Sequence, residues 1–479
     1  MKRTVFFYNG RLVDSRTDSP GAILVIDGTI ASVYKQAVPD KAGAGTVLAA
    51  ILSAGIGTDK GFSSITEASV ELYDVKGRTI MPAFIDMHAH FRYPGQPWKE
   101  DLDTALDAAA AGGFGTLVLM PNTNPVISSA AAALHIDAEA AERNKSKVFQ
   151  TVSLTKDFDG TDTTHLKNLD AQKIPVITED GHDVADAAVL LAAMRTAAEN
   201  GQIVSCHSEN ADLAAAARVH RKKALVLMKE HGTPGGQRMR VEFPDSIRKE
   251  INDELKAANE LLALAEDSAT ERNIETAKLA GCHVHIAHVS TKRSMDAVRR
   301  AKREIADGTT PDGFSITCEV TPHHIGLCGT EPPELYELVN PPLRSEADRM
   351  ALITALVDGT ADVIATDHAP HSSADKLSGA PGFTGLETAF AVCNTILVQS
   401  GKMSLSRLSS VMSRNPAAIL KLNKGTIAAG TDADFVLVSP EEEWIVDSSS
   451  FKSKGKTTPF EGKKLKGKVH AVVIGGVVF

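Results

Sequence analysis

The middle of the chain alternates short apolar runs with alanine-rich helical stretches, whereas both ends carry only short apolar runs. Stretches such as DLDTALDAAAAGG and DVADAAVLLAAMRTAAEN separate eight apolar runs: IMPAFID, GTLVLM, KVFQTV, KIPVIT, GQIVSC, HVHIAHV, FSITCEV and ADVIAT. Continuous apolar strands that alternate with helices are typical of a parallel sheet covered on both faces. Eight such units predict an α/β fold, a closed (β/α)8 TIM-type barrel.

Strand-like runs at the two chain ends predict a second, smaller unit. TVFFYNG, AILVIDGTIASVY and VELYDVKGRTI precede residue 81, and DADFVLVS and KVHAVVIGGVVF follow residue 430. Gly and Asp turns separate these runs, as in small antiparallel sheets. We therefore predict a small β-sandwich-like domain from residues 1–80 together with 425–479, and a barrel from residues 81–424. A doubly wound open sheet is the alternative, but no GxGxxG motif follows a first strand.

Two segments do not fit this alternation of strands and helices. Residues 218–265 are charged, and we predict an irregular insertion between barrel strands five and six that serves as a lid or a contact surface. Residues 40–70 are rich in Ala, Gly and Ser, which predicts a flexible loop of the β domain.

Composition and charge exclude several classes of function. A formal net charge of −9 argues against nucleic acid and membrane surfaces as partners, because these partners favour a basic patch. Five scattered cysteines without a CxxC spacing indicate neither a disulfide framework nor a thiolate zinc site. The sequence shows neither the apolar core of a signal peptide nor a membrane-spanning run. We expect a cytoplasmic protein that acts on a small molecule.

Metal-binding residue types recur at the predicted carboxyl ends of the barrel strands, where active sites of this fold lie. Side chains of a strand alternate faces, so His88, His90 and Arg92 of DMHAHFRYPG point the same way. The other strand ends carry Glu179 and Asp180, His207, His288 and Asp367. Any one histidine fits a structural role. Four histidines and two aspartates at one mouth predict a binuclear site, since Zn²⁺ accepts imidazole and carboxylate where thiolates are absent.

The expected ligands divide into two sets, His88, His90 and Asp367 for one metal ion, and His207 and His288 for the other. Two cations at this separation need an anionic bridge, and Asp180 together with a shared hydroxide would provide it. Metal coordination lowers the pKa of the bound water enough to make hydroxide available near neutral pH. Asp367 would take the proton as the hydroxide attacks and return it to the leaving nitrogen.

The set of motifs, in this order, resembles the cyclic amidohydrolases, and within them closely the dihydroorotases of the bacterial class I type. The shared motifs are DMHAHFRYPG, AAAAGGFGTLVLMPNTNP, ITEDG, CHSEN, HIAHVST, EVTPHH, NPPLR, ATDHAPH, PGFTGLET and KTTPFEGKKLKGKV. The resemblance implies two Zn²⁺ ions per subunit on His88, His90, Asp180, His207, His288 and Asp367. It also implies the reversible cyclisation of N-carbamoyl-L-aspartate to L-dihydroorotate plus water, a step of de novo pyrimidine (UMP) biosynthesis.

Two positions depart from the pattern of that family. The DDG stretch of the closest members reads EDG here, with Asp180 retained. Related enzymes often bridge their metals with a carboxylated lysine, for which Lys156 is the alternative, although a solvated loop lysine is the simpler interpretation. Tyr93 stands where the family usually has an acidic residue, which affects the substrate-side loop and leaves the metal ligands unchanged.

The implied substrate carries a free carboxylate, which calls for a fixed fork of donors. Arg92 supplies one, because guanidinium pairs bidentately with carboxylate. The resemblance assigns the same role to Asn122, Asn340 and His371, and assigns ring contacts to the backbone of Gly382 and Phe383. We interpret His323 and His324 as supporting or structural residues. We expect a homodimer and an association with another enzyme of the pyrimidine pathway.

Two other classes of function remain open. A hydantoinase or an allantoinase would keep the metals without needing a carboxylate clamp, and allantoinases tend to carry Asn at the position of Arg92. A non-catalytic homologue that serves as a scaffold would be expected to have lost ligands, and none is missing here.

Overall fold

The computed structural model describes residues 3–53, 67–231, 233–235, 240–329 and 337–479 of the chain. Its strands are β1 (Thr4–Val13), β2 (Asp18–Ile26), β3 (Thr29–Tyr34), β4 (Glu71–Asp74), β5 (Thr79–Pro82), β6 (Phe84–Ala89), β7 (Phe114–Leu119), β8 (Lys147–Gln150), β9 (Val176–Thr178), β10 (Ile203–Cys206), β11 (Thr233–Gly235), β12 (Arg240–Glu242), β13 (His283–Ile286), β14 (Ser315–Val320), β15 (Val363–Ile364), β16 (Phe435–Ile445), β17 (Lys464–Ile474) and β18 (Val477–Val478).

The α-helices of the described ranges are α1 (Lys41–Ser53), α2 (Leu102–Gly112), α3 (Ala130–Glu142), α4 (Ala187–Asn200), α5 (Ala211–His231), α6 (Asp245–Ala280), α7 (Lys292–Ala306), α8 (Pro322–Gly326), α9 (Glu346–Asp358), α10 (Ser373–Leu377), α11 (Ala389–Cys393), α12 (Leu405–Ser409) and α13 (Asn415–Ile419). A π-helical segment, Asn394–Val398, continues α11, and another, Ser410–Arg414, joins α12 to α13. Within these ranges, no helix combines the length and the apolar character needed to cross a membrane.

The central strands of the described chain form a closed parallel barrel. β6, β7 and β8 make one hydrogen-bonded sheet, and β9, β10, β13, β14 and β15 make the other. Parallel bridges from Val152 to Ile177 and from Ala89 to His368 join the two sheets at both edges. Every residue of β6 and β7 is buried, as expected for strands covered on both faces. The predicted (β/α)8 barrel is confirmed.

One predicted strand divides between the two sheets. The IMPAFID run contributes its first part to β5, which pairs with β1 and β16, and its second part to β6, which pairs with β7. The N–H of Ala83 still donates to Asp434, whereas the N–H of Phe84 already donates to Gly113. The strand that carries the first two predicted metal ligands is therefore anchored directly to the β domain.

Both chain ends contribute to one mixed sheet with the order β18-β17-β16-β5-β1-β2-β3, and β4 also pairs with β1. Side chains of β1 alternate between two cores. Val5 and Phe7 pack with Phe435 on one face, and Phe6 packs with Leu48 of α1 on the other. The prediction that both ends build one β domain is confirmed, and its exact boundaries stay predictions.

The flexible loop predicted for residues 40–70 is wrong in the described part of that segment. Residues 41–53 form α1, which buries Ala44 and Leu48 against the β domain. The Ala-rich composition was interpreted as a loop, but it favours a helix because Ala has a high helix propensity. Residues 54–66 of the predicted loop lie outside the described residues.

The irregular structure predicted for residues 218–265 is also wrong over most of its length. α5 and α6 run along each other between β10 and β13, and the short hairpin of β11 and β12 lies between them. A stripe of small and apolar side chains, including Ala217, Ala258 and Leu262, joins the two helices. Many charged residues surround this stripe, which hid the helical period in the sequence.

Candidate active site

The six predicted metal ligands lie together at the carboxyl ends of the barrel strands. They are His88 and His90 at the end of β6, Asp180 after β9, His207 after β10, His288 after β13 and Asp367 after β15. All six side chains are buried. Parallel strands of a closed barrel end at the same rim, so residues distant in the sequence converge there.

His88, His90 and Asp367 form one half of this cluster. Oδ1 of Asp367 lies 3.3 Å from Nε2 of His90 and 3.7 Å from Nε2 of His88. The three ligand atoms lie within 4.8 Å of one another, which suits a shared cation.

The other half contains His207 and His288, whose facing nitrogens are 2.9 Å apart. Asp180 lies between the two halves. Its Oδ1 is 3.3 Å from Nδ1 of His207 and 3.8 Å from Nε2 of His288, while its Oδ2 is 3.4 Å from Nε2 of His90. Oδ1 also lies 3.3 Å from Nε2 of His88, so the carboxylate of Asp180 contacts both halves of the cluster, as a bridging ligand must.

Two buried polar atoms that face each other at the centre of the cluster have no hydrogen-bond partner in the described part of the chain. They are Nε2 of His88 and Oδ1 of Asp180, which lie 3.3 Å apart. Buried polar atoms are nearly always hydrogen-bonded, so an unsatisfied pair at this place calls for a ligand. Imidazole nitrogen and carboxylate oxygen are the donors that Zn²⁺ accepts. The side chains present therefore fit metal ions.

The electrostatics of the cluster favour a bound cation. Burial opposes a charge on His88, but Asp180 and Glu319 outweigh burial and hold the pKa of His88 well above its usual range. Burial would raise the pKa of Asp180, yet the histidines around it, first His88, hold that pKa well below its usual range. The negative potential that attracts a proton to the imidazoles also attracts a metal ion, which displaces that proton.

Carboxylate and amide groups behind the ligands fix the orientation of the histidine rings. His88 donates from Nδ1 to Oε1 of Glu319 at 2.8 Å, and His90 donates from Nδ1 to Oδ1 of Asn122 at 2.9 Å. Both rings therefore present Nε2 to the centre of the cluster. Glu319 also accepts from the backbone N–H of His288 at 3.2 Å. The histidines, first His88, outweigh the effect of burial and lower the pKa of Glu319 to about 2.

Sequence reasoning missed Glu319 and Asp86 as parts of this site. Asp86, buried in β6, accepts hydrogen bonds from the backbone N–H and the hydroxyl of Thr366 at 2.9 and 2.5 Å. This pairing holds Thr366, the residue directly before Asp367. The φ of Asp367 is 48°, which is uncommon for a residue other than Gly. Burial raises the pKa of Asp86 to about 7. An acidic residue inside an apolar strand was the available signal for both residues.

The predicted carboxylate site surrounds Arg92. One terminal nitrogen of Arg92 lies 3.2 Å from Nε2 of His371, and its Nε donates to the carbonyl of Pro370 at 3.3 Å. Burial first, and then Arg92, lower the pKa of His371 to about 3, so this imidazole is neutral. Gly382 packs against the same place at φ 112°, and a Cβ there would lie 2.8 Å from Cβ of Ala369. Only Gly fits this position.

The remaining predicted substrate residues lie near these groups. Asn122 holds His90, as described above. Asn340 accepts a hydrogen bond from Arg221 of α5 at 2.5 Å. Phe383 is buried, and its ring meets that of His323 edge-on with the ring centroids 4.9 Å apart.

The structure shows the contacts of Tyr93 and Glu179, which depart from the family pattern, and of Lys156, the alternative bridge. The hydroxyl of Tyr93 donates to Glu139 of α3 at 2.7 Å. Lys156 is exposed in a short 3-10 turn. The carboxylate of Glu179 accepts a hydrogen bond from the backbone N–H of Thr155 at 2.9 Å, so it holds the loop that follows β8. Lys156 is exposed, whereas the carboxylate of Asp180 lies among the histidines of the cluster, so Asp180 is favoured over Lys156 as the bridge.

His324 donates from Nε2 to the carbonyl of Pro341 at 3.0 Å, and both His323 and His324 are buried. Burial first, and then His288 among its neighbours, lower the pKa of His324 to about 4. These neutral rings fill the space beside the cluster, in agreement with a supporting role.

A closed parallel barrel with imidazoles and carboxylates buried at its strand ends defines a metal-dependent hydrolase of the barrel type. The model of the Amidohydrolase family matches residues 79–479. The dihydroorotase of Clostridium botulinum (strain Eklund 17B / Type B) is 35% identical over 471 residues, which cover 98% of each chain. The dihydroorotase of Caldanaerobacter subterraneus subsp. tengcongensis is 38% identical over 429 residues, which cover 88% of this chain and 90% of that protein.

Solved structures share the fold at lower identity. The L-hydantoinase (dihydropyrimidinase) from Arthrobacter aurescens superposes with a TM-score of 0.78 at 24% identity, covering 100% of this chain and 96% of that chain. The dihydropyrimidinase from Brevibacillus agri NCHU1002 has a TM-score of 0.72 at 20% identity, covering 100% and 95%. The chain belongs to the amidohydrolase family and is a metal-dependent cyclic amidohydrolase, with curated dihydroorotases among its relatives.

Proposed function

We propose that this protein is a dihydroorotase, which catalyses the reversible cyclisation of N-carbamoyl-L-aspartate to L-dihydroorotate plus water in de novo pyrimidine biosynthesis. The observation that carries the proposal is a cationic Arg92 at the rim of the metal-ligand cluster. A guanidinium at this place suits a ring that bears a carboxylate. Identity of 35–38% to dihydroorotases over most of the chain supports the same substrate.

Two Zn²⁺ ions per subunit are the expected cofactors. His88, His90 and Asp367 would hold one ion, His207 and His288 the other, and Asp180 would hold both. When bound, these ions supply a water activated for attack near neutral pH and polarise the ring carbonyl.

Asp367 carries the proton in this proposal. Burial would raise its pKa, but the surrounding histidines, first His90, outweigh burial and hold that pKa well below its usual range. The carboxylate is therefore ionised and able to accept. In ring opening it receives the proton of the attacking water and passes it to the ring nitrogen as the C–N bond breaks. In ring closure the same proton moves in the opposite direction.

Arg92 orients the substrate by its carboxylate, and His371 remains neutral beside it as a further hydrogen-bonding group. Asn122 keeps His90 in the tautomer whose Nε2 points to the centre of the cluster. Asn340 would share the substrate carboxylate with Arg92, and the backbone of Phe383 would contact the ring. The backbone N–H and carbonyl of Gly382 are hydrogen-bonded to Leu338 and Lys376, so Gly382 shapes the site by having no side chain. These assignments give each polar group at the rim one task in binding.

Parallel assays with dihydroorotate, hydantoin and allantoin test the proposal. The purified, Zn²⁺-loaded protein should open dihydroorotate with the highest kcat/KM, and chelated protein with metal confirmed absent should be inactive. Closure consumes one proton, because the carbamoyl aspartate dianion becomes a monoanion. The equilibrium ratio of ring to open form should therefore rise about tenfold for each pH unit of acidification. A protein that prefers a neutral ring is a hydantoinase or an allantoinase.

Assembly and location extend this proposal. A homodimer, an association with another pyrimidine-pathway enzyme and a cytoplasmic location fit a small-molecule enzyme of this family. Sedimentation of the purified protein, alone and with candidate pathway enzymes, measures the first two.

A further inference from the structure

A guanidinium from the helical hairpin of α5 and α6 reaches the candidate active site. Arg221 of α5 donates from Nη1 to Oδ1 of Asn340 at 2.5 Å and from Nη2 to the carbonyl of Val339 at 3.4 Å. Its Nε is buried and has no hydrogen-bond partner among the described residues. No carboxylate of the described residues forms an ion pair with Arg221, and Glu209 is the acidic residue that acts on it from further away.

Burial of a charge that has no anionic partner among the described residues lowers the stability of the fold, so the presence of Arg221 needs a reason. Burial lowers the pKa of Arg221 to about 10, which leaves the side chain charged at neutral pH. Such charges are characteristic of sites that receive an anionic ligand.

The surroundings of Arg221 connect it to the carboxylate side of the site. Lys376 is fully buried and donates from Nζ to the carbonyls of Leu338 at 3.0 Å and Gly382 at 2.8 Å. The N–H of Gly382 donates back to Leu338 at 2.8 Å. The segment that carries Asn340 is thus fixed to the Gly382 loop on one side and to Arg221 on the other. That loop touches His371, the neighbour of Arg92.

We propose that Arg221 is a positioning residue that determines specificity for an anionic ring. By occupying Oδ1 of Asn340, Arg221 leaves the Nδ2 donors of that amide as the groups available to a substrate carboxylate. Its charge acts through that amide, because a hydrogen bond from a cation to Oδ1 polarises the amide and strengthens its Nδ2 donors. The proposal rests on the proposed function, and it gives the hairpin of α5 and α6 a part in substrate selection.

Two ligands that differ only in the carboxylate test this inference, dihydroorotate and dihydrouracil. In Arg221→Met, kcat/KM for dihydroorotate should fall about 10- to 100-fold, mainly through KM, because a hydrogen bond to a charged group is lost. The inhibition constant of dihydrouracil should stay within about threefold of wild type, since a neutral ring does not use the charge. Equal losses for both ligands, or no loss for dihydroorotate, would overturn the inference.

Lys222→Met is the matched control. Lys222 is the next residue of α5 and is exposed, so its removal deletes the same charge without touching the site. It should behave as wild type. Arg221→Lys should recover part of the affinity, because it restores the charge without the planar fork. If Arg221→Met does not fold, as judged by circular dichroism, Arg221→Gln is measured in the same way with the same two ligands.

A double-mutant cycle tests whether Arg221 acts through Asn340. Asn340→Ala combined with Arg221→Met should lose no more than about twofold beyond Asn340→Ala alone, since one residue works through the other. Additive losses would contradict the positioning role. Metal content should be the same in all variants. A wild type that does not open dihydroorotate refutes the proposed function, whereas an active wild type with an unselective Arg221→Met refutes this inference alone.

Discussion

The Nδ1 atom of His88 donates a hydrogen bond to Oε1 of Glu319, 2.8 Å away and 231 positions later in the sequence. Both side chains are buried. β15 lies between β6 and β14 in the barrel, so this bond links two strands that are not neighbours. It turns Nε2 of His88 toward Asp180, and it also supplies the negative charge that makes the imidazole a stronger ligand.

Removing the charge of Glu319 should weaken metal binding. In Glu319→Gln the ring of His88 loses its ionised acceptor, and we expect metal affinity to fall about 10- to 100-fold. Competition with a chelator of known affinity measures the change. Glu142→Gln, at an exposed position of α3, is the control. Unchanged affinity in Glu319→Gln would show that the orientation of His88 does not depend on this carboxylate.

Asp180→Ala should reduce occupancy at both metal positions together, because the carboxylate of Asp180 contacts histidines of both halves of the cluster. Lys156→Ala should keep both metals, since Lys156 is exposed. Metal analysis of the two purified variants compares them directly. A full pair of metals in Asp180→Ala together with a loss in Lys156→Ala would move the bridge to the lysine.

Asp367→Asn should almost abolish turnover, because an amide does not accept the proton of the attacking water. General acid–base catalysis contributes about 10²–10⁴-fold, and the weaker metal ligand adds to this loss. The measurement is kcat for dihydroorotate at saturating Zn²⁺. A variant within a few-fold of wild type would exclude Asp367 as the proton carrier.

Arg92→Met should remove selectivity for the acidic ring. The substrate carboxylate loses its charged partner, a change on the order of 2–5 kcal/mol for a desolvated pair. We expect kcat/KM for dihydroorotate to fall accordingly, while that for a neutral hydantoin and the metal content stay close to wild type. Equal losses on both substrates would favour the hydantoinase alternative.

Asp137 of α3 should make stability depend on pH. Burial raises its pKa to about 7, although the N–H of Gln150 donates to it at 2.8 Å. The folded state binds the proton more tightly than the unfolded state, so stability falls as pH rises from about 4 through 7. Asp137→Asn removes this dependence.

Thermal unfolding of the metal-loaded proteins measures the effect of Asp137. Relative to wild type, Asp137→Asn should gain roughly 1–3 kcal/mol between pH 5 and pH 8. Glu142→Gln, on the same helix but exposed, should show no such gain. A constant difference between Asp137→Asn and wild type across this pH range would contradict the buried-carboxyl explanation.

The ligand set could be predicted from the sequence because its signal is local. Each predicted ligand is a histidine or an aspartate directly after an apolar run, and the strands of a barrel end at one rim. Asp86 and Glu319 interrupt apolar strands, so their positions in the sequence are clear, but their partners are not. The partner of Asp86 is Thr366 and the partner of Glu319 is His88, and both partners are distant in the sequence. Only the strand order of the barrel brings each pair within hydrogen-bonding distance.

Arg221 could not be predicted for a related reason. It lies among other basic residues of α5, and nothing local distinguishes it from Lys222. The packing of α5 along α6 turns Arg221 toward Asn340 and leaves Lys222 in solvent. The helical hairpin itself was not predicted, because its stripe of small residues becomes a buried surface only when the second helix packs against it.

The sequence by itself determined the eight barrel strands, the composite β domain and the residue types of the metal cluster, because hydrophobic periodicity and residue chemistry are local properties. The tertiary structure alone decided where IMPAFID divides between two sheets, because an apolar run fits either sheet. The first part of the run pairs with β16 and the second part pairs with β7, and these partners set the point of division. It also decided which charges are paired. Pairing depends on distance in space, and that distance is fixed only when the barrel closes.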